Sequence, residues 1–211
     1  MFNADCMEAM AAMPDKQYDL AIVDPPYGIG EDGASNHSRG TLTAATIYTA
    51  KTWDAATPQN DYFEQLARVS ANRIIWGGNH MGNMPPSSCW IVWDKRNGES
   101  HFADCELAYT SFNTAVRKFE WLWSGFMQQH HGRFREKRIH PTQKPVALYK
   151  WILTNYAKPG QTILDTHGGS GSICIACHDL GFDLDWYELD KEYYDNACER
   201  FERHKQQQRL L

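Results

Sequence analysis

No apolar run among the 211 residues approaches the ~20 residues that a helical membrane span requires. The opening residues, MFNADCMEAM, hold no basic stretch followed by an apolar one, so no signal peptide is read. Internal repeats and clear linkers are absent too. A single domain over 1–211 is therefore expected, long enough to bury a sizeable core. Cysteine is sparse and scattered, at Cys6, Cys89, Cys105, Cys174, Cys177 and Cys198. A chain of this size needs no disulfide staples, so these read as reduced thiols and point to a cytoplasmic protein with no membrane partner.

Net positive charge is concentrated in one place. The net charge is -5, but the segment from Asn113 to Lys144 carries +5 and the remainder -10. Its cations are Arg117, Lys118, Arg133, Arg135, Lys137, Arg138 and Lys144; Trp121, Trp123, Phe126 and Phe134 lie among them, with His130, His131 and His140. A concentrated basic segment in an acidic protein is a candidate polyanion contact. Interleaved aromatics suit a nucleic acid whose bases can be stacked. A solvated loop with a few buried aromatics explains the same composition, and both readings stand at this point.

Helical and strand patterns alternate. Helices are predicted at Asp5–Met13, Asp61–Ser70, Pro145–Ala157, Ser170–Leu180 and Lys191–Gln207. Strands are predicted at Tyr18–Val23, Arg73–Trp76, Cys89–Asp94, Cys105–Ser111, Thr162–Leu164 and Leu184–Leu189. Such alternation predicts an α/β fold with a doubly wound, mostly parallel sheet and helices on both faces. Residues 28–58 are rich in Gly, Ser, Thr and Ala without a sustained period, which predicts a long mobile loop. Residues 113–140 read as a small candidate target-recognition insertion.

Two stretches carry chemistry. In AIVDPPYGIG an apolar strand runs into two prolines, which cannot continue a central strand and which freeze the backbone. Asp24 and Tyr27 then sit on a rigid corner. In TILDTHGGSGSICIACHDLG a strand ends in Asp165, turns through glycines and enters a helix. Ligands of open α/β sheets bind at such strand ends, close to a helix N-terminus. Glu188 follows Asp165 by 23 positions, near the ~20-residue spacing at which dinucleotide folds present an acid to a ribose diol. Ser-Ile follows Gly171 where a phosphate-binding loop has lysine, so the ligand is read as a nucleoside without a triphosphate.

Together, DPPY, then HPTQKP, then LDTHGGSGS, then YELD resemble the S-adenosylmethionine-dependent DNA amino-methyltransferases. The order, with the target site ahead of the cofactor loop, looks like the circularly permuted beta subgroup, and small phage-type adenine enzymes most of all. The resemblance spans nearly the whole chain and implies a Rossmann-like methyltransferase sheet, S-adenosylmethionine as cofactor and DNA as partner, in a monomer or homodimer. It implies that Asp24, Pro25, Pro26 and Tyr27 form the catalytic tetrapeptide. It places the cofactor against Asp5, Cys6, Lys144, Pro145, Asp165, His167, Gly169, Ser170, Gly171 and Glu188. His167 departs from the family pattern, which usually has an aromatic there. Arg133, Arg135, Lys137 and Arg138 are the candidate DNA contacts.

The residue types suit the chemistry. An exocyclic amino group is a poor nucleophile because its lone pair is delocalised into the ring. The Asp24 carboxylate and the Pro25 carbonyl can each accept one amino hydrogen, localising that lone pair and stabilising the developing charge. Tyr27 can stack on a base flipped out of the duplex. No Pro-Cys dipeptide occurs, which disfavours a covalent cysteine route at ring carbon. Asp before Pro-Pro-Tyr leans towards adenine by resemblance. Cytosine, RNA or a protein amide remain alternative acceptors, and a binding module that has lost catalysis is the alternative of another class.

Other patterns have plainer readings. Gly28 to Gly33 fits G-x-G-x-x-G, but no helix pattern follows. Cys174, Cys177 and His178 have metal-like spacing, yet no second ligand pair is evident, so core packing is read and no metal site is assigned. Trp76-Gly-Gly-Asn-His80 ends a strand and reads equally as a turn or as a wall of the target pocket.

Overall fold

Along strand β1 (Tyr18–Val23), Leu20 and Ile22 join one apolar cluster while Ala21 and Val23 join another. Side chains of a strand alternate sides, so two packed faces mean a strand buried between two layers. The computed structural model describes residues 1–30, 51, 53–82, 84–98, 103–124, 127–132 and 135–208. Most of the loop predicted at 28–58, and Arg133, Phe126 and Phe134 of the basic segment, lie outside the described residues.

The other strands are β2 (Ser70–Trp76), β3 (Trp90–Asp94), β4 (Cys105–Thr110), β5 (Arg117–Glu120), β6 (Trp123–Ser124), β7 (Met127–Gln128), β8 (Thr162–Asp165) and β9 (Asp183–Trp186). Seven of them form one sheet in the order β5-β3-β4-β2-β1-β8-β9, with β6 and β7 a separate hairpin. Within the seven, β4 runs antiparallel to β2 and β3, and the remaining pairings are parallel. Helices α1 (Cys6–Ala12) and α2 (Asn60–Val69) cover one face through Met10, Tyr62, Leu66 and Val69. Helices α3 (Val146–Tyr156), α4 (Ser172–Leu180) and α5 (Lys191–Gln208) cover the other through Leu148, Ile152, Ile173, Ala176 and Ala197. Each fully buried Leu or Ile contributes about 2 kcal/mol of transfer free energy, so the two helical layers hold the sheet between them. The doubly wound, mostly parallel architecture is the one the alternating pattern predicts.

The differences are local. Pro145 is the N-cap of α3 and precedes its first turn. Helix α4 begins at Ser172 with Gly171 as N-cap, so Ser170 and Gly171 belong to the loop. Strand β9 ends at Trp186, which leaves Tyr187 to Leu189 outside it. The 113–140 segment contains β5 and the hairpin, neither of which its pattern announces. Strand β5 is an edge strand with Lys118 paired to Glu120 and Asp94, the charged face that protects an exposed edge. Cys174 and Cys177 are buried in the core, while His178 is exposed and edge-on to Phe201. Among the described residues no helix is long and apolar enough to cross a membrane.

Candidate active site

Strands β1 and β8 are parallel neighbours, with Ala21 opposite Leu164. By that register Asp165 lies opposite Ile22, two residues short of Asp24, so the two acids close neighbouring strands at the C-terminal edge, the edge where α/β sheets bind ligands.

The turn after Asp24 is held from both sides. Asp54 Oδ1 accepts the backbone N–H of Tyr27 at 2.6 Å and of Gly28 at 2.9 Å. The Tyr27 hydroxyl donates to Asp24 Oδ1 at 2.7 Å. Gly77 has φ of +68°, and a Cβ there would land inside the Tyr27 ring. Glycine is thus required twice over, for its backbone and for the ring against it. The Lys144 ammonium donates to Asp24 Oδ2 at 2.6 Å and to the Tyr27 hydroxyl at 3.1 Å, and reaches Glu106 Oε2 at 3.1 Å. Lys95 closes the cluster on Glu106 Oε1 at 2.5 Å.

Two carboxylates and two ammonium groups thus balance in charge. Burial, with the charge of Glu106 beside it, raises the Asp24 carboxyl above its ordinary value against the pull of Lys144. Burial would also raise Glu106, but Lys144 and Lys95 outweigh it and hold that carboxyl at about 2. Burial works to lower Lys144, and the two carboxylates more than reverse it, so the ammonium keeps its proton.

The glycine loop after Asp165 packs against β9. A Cβ at Gly168 would land inside the Trp186 ring, so only glycine admits this approach. Glu188 Oε2 accepts the Gly169 N–H at 2.8 Å and Oε1 the Asp190 N–H at 2.8 Å. Asp165 Oδ1 accepts the His167 N–H at 3.0 Å, and burial pushes its carboxyl well above the usual range. Burial holds the His167 imidazole neutral, down to about 4; the ring stands edge-on to Tyr62 with 5.2 Å between centroids. Arg200 donates to Ser170 O at 2.9 Å, to Ser172 Oγ at 2.9 Å and to Glu136 at 2.7 Å, and Ser172 Oγ donates to Lys144 O at 2.7 Å. One buried guanidinium thereby ties the loop to the HPTQKP segment.

A cavity of about 360 Å³ opens between these two strand ends, lined by Cys6, Met7, Pro26, Tyr62, His167 and the stretch 56–59. Its size falls in the range of small-ligand sites. Of the residues predicted from sequence, Cys6, Pro26 and His167 line it. Burial pushes the Cys6 thiol up to about 12, which makes it a contact surface rather than a nucleophile. Asp5 is the N-cap of α1, accepting from Met7 N at 2.7 Å. Lys144 presents its carbonyl to the loop side but its ammonium to the Asp24 turn.

The basic segment is less uniform than its composition suggests. Lys144 is internal and Lys118 is ion-paired. Arg138 is half-buried, donates to Pro141 O at 2.7 Å and lies over the Trp123 ring. Arg117, Arg135 and Lys137 are exposed. Trp123 Nε1 donates to Gln143 O at 2.8 Å, so the hairpin positions HPTQKP.

A family model described as DNA methylase, N6_N4_Mtase, matches residues 90–199, more than half of the chain. The chain belongs to this DNA methylase family. The methylase is 23% identical to the type II methyltransferase M.HinfI of Haemophilus influenzae, over 95% of this chain and 67% of that relative. Its fold is shared by the M1.HpyAVI complex with S-adenosylmethionine, at TM-score 0.56 and 20% identity over 94% of this chain and 98% of that one. It is shared also by the PvuII DNA methyltransferase, named as cytosine-N4-specific, at TM-score 0.59 and 14% identity over 95% and 85% of the two chains.

Glu106 and Tyr62 escape a sequence reading, and His140 is legible only as the first letter of a motif. Glu106 is an ordinary strand residue until Lys95 and Lys144 converge on it. His140 opens the HPTQKP motif and faces Gly169 and Tyr193, with burial holding its imidazole neutral, down to about 3. Tyr62, in the first turn of α2, lines the cavity and donates to or accepts from Thr166 Oγ1 at 2.7 Å.

Proposed function

We propose that this methylase transfers the methyl group of S-adenosylmethionine to the exocyclic amino group of adenine in DNA, with Asp24, Pro25 and Tyr27 handling the acceptor. The observation that carries the reading is the adjacency of two strand ends: the Asp24 turn and the Asp165 loop flank one cavity. The cavity fits a nucleoside-sized donor, with neutral His167 and Tyr62 on its wall. When bound, S-adenosylmethionine supplies an electrophilic methyl group.

The chain's own residues prepare the nucleophile. Asp24 Oδ1 and Oδ2 each retain a lone pair beyond the bonds from Tyr27 and Lys144, and can accept an amino hydrogen. The carboxylate is fixed before the base arrives, so no reorganisation is needed as positive charge develops on the nitrogen. Pro25 brings a carbonyl and no competing N–H. Arg135, Lys137 and Arg138, with Arg133, are assigned to the DNA backbone, Arg138 chiefly by holding the turn beside it. The choice of adenine rests on Asp in place of Ser before Pro-Pro-Tyr.

The test is transfer from labelled S-adenosylmethionine to unmethylated duplex DNA, followed by digestion to nucleosides. Label in N6-methyldeoxyadenosine, lost in Asp24→Ala, supports the reading. Label in cytosine keeps the mechanism and corrects the base. Absence of label in either base, with the cofactor bound, overturns it.

A further inference from the structure

The His80 imidazole lies parallel to the Tyr27 ring, with 5.2 Å between centroids and 12° between planes. Among the described residues no hydrogen bond or ion pair holds the imidazole, and the side chain is exposed at the end of the short turn Gly78–His80. Tyr27 is its opposite. Its hydroxyl is tied to Asp24, its backbone N–H to Asp54, and its ring abuts Gly77. The Lys144 ammonium is 3.1 Å from the hydroxyl and 5.5 Å from the ring centre, so it sits off the hydroxyl edge and leaves the ring face to His80. A fixed aromatic platform therefore carries a loosely held planar ring on its face.

We infer that His80 competes with the target base for the stacking face of Tyr27, and so sets how readily a flipped base is admitted. The inference rests on the reading of Tyr27 as the base-stacking residue. The spacing does not admit a third ring between the two. A base that stacks on this face displaces the imidazole, and it does so because a purine offers the larger π surface. His80 is on this account a positioning residue, acting on base entry and not on the bond-forming step. A side chain at 80 that stacks weakly favours entry, and one that stacks strongly opposes it. Gly77 and Gly78 place no side chain between strand β2 and the Asn79–His80 end of the turn.

The experiment uses the full chain and a duplex carrying a site that the wild-type protein has been shown to methylate. Failure at that first step refers to the proposed function and not to His80. The methylatable adenine is then replaced by 2-aminopurine, whose fluorescence rises on unstacking, and binding is followed with S-adenosylhomocysteine present. His80→Ala is expected to raise the fluorescence gain and to lower KM for DNA, by about three- to tenfold, the size of one aromatic stacking contact. His80→Phe is expected to move both readings the other way. An unchanged series overturns the inference. So does the reverse order, with Ala weakest and Phe strongest, which is what a residue that merely backs Tyr27 would give.

Discussion

The Lys144 ammonium sits 2.6 Å from Asp24 Oδ2 and 3.1 Å from Glu106 Oε2, making one cation the shared partner of the Asp24 carboxylate and of a second acid on β4. Asp24 must be ionised to accept an amino hydrogen, so activity falls as pH drops through its raised pKa. The cation lowers that pKa and Glu106 raises it. Lys144→Met should therefore move the acid limb of kcat/KM to higher pH, and Glu106→Gln should move it to lower pH. Asp24→Asn should cost about two to three orders of magnitude in kcat at all pH values, as loss of a charge-stabilising acceptor does. A pH–rate profile of the three variants checks the set, and shifts of the same sign for Lys144→Met and Glu106→Gln would contradict it.

Gly77→Ala places a methyl group where the Tyr27 ring lies, on a backbone at φ of +68°. A displaced Tyr27 loses its bond to Asp24. Activity should fall by about a hundredfold or more, with a stability cost of about 1–3 kcal/mol for the strained backbone. Thermal unfolding and single-turnover methylation together distinguish this from simple unfolding.

Acid should destabilise the fold well above the carboxylate range. Burial holds His140 down to about 3 and His167 down to about 4, against an ordinary value of 6.5. Below pH 6.5 the unfolded chain takes up protons that the folded chain refuses, so stability falls with decreasing pH until the folded values are reached. The slope is at most about 1.4 kcal/mol per pH unit for each histidine. Urea unfolding at pH 7 and pH 5 should show this loss, and His140→Gln should flatten it.

Arg135 and Lys137 are exposed beside the HPTQKP turn. Replacing both by Gln should weaken DNA binding across sequences and reduce the slope of log K against log salt by about 2, one unit for each phosphate left without its cation. Binding titrations at several salt concentrations read this directly; an unchanged slope would place the DNA elsewhere.

Much of this fold is legible because burial leaves a trace in sequence. Tyr18–Val23 is apolar nearly throughout since both of its faces are covered, and the glycines around Ser170 mark a strand-to-helix turn by their spacing alone. Strand β5 and the hairpin β6–β7 leave no such trace. They are two to four residues long, and Arg117, Lys118 and Glu120 are exposed on an edge. The site divides in the same way. DPPY and the Asp165 loop are contiguous motifs, whereas Glu106 acquires meaning only through Lys144, distant in the chain. Lys144 shows why a motif position and a side-chain position differ: its carbonyl faces Ser172 on the donor side while its ammonium crosses to Asp24. His167 is legible as a departure from its family, but its neutrality follows from burial against Tyr62.

The pairing of Ala21 with Leu164 has a metrical consequence. The Asp24 turn and the Asp165 loop are far apart along the chain, yet the strands that carry them lie one interstrand step apart, about 4.8 Å, fixed by backbone hydrogen bonds. The sheet thus acts as a ruler laid between nucleophile and electrophile, with graduations that do not depend on side chains. Reordering the segments along the sequence leaves that ruler untouched. A bulge inserted into β1 or β8 would lengthen it while sparing every residue of the site.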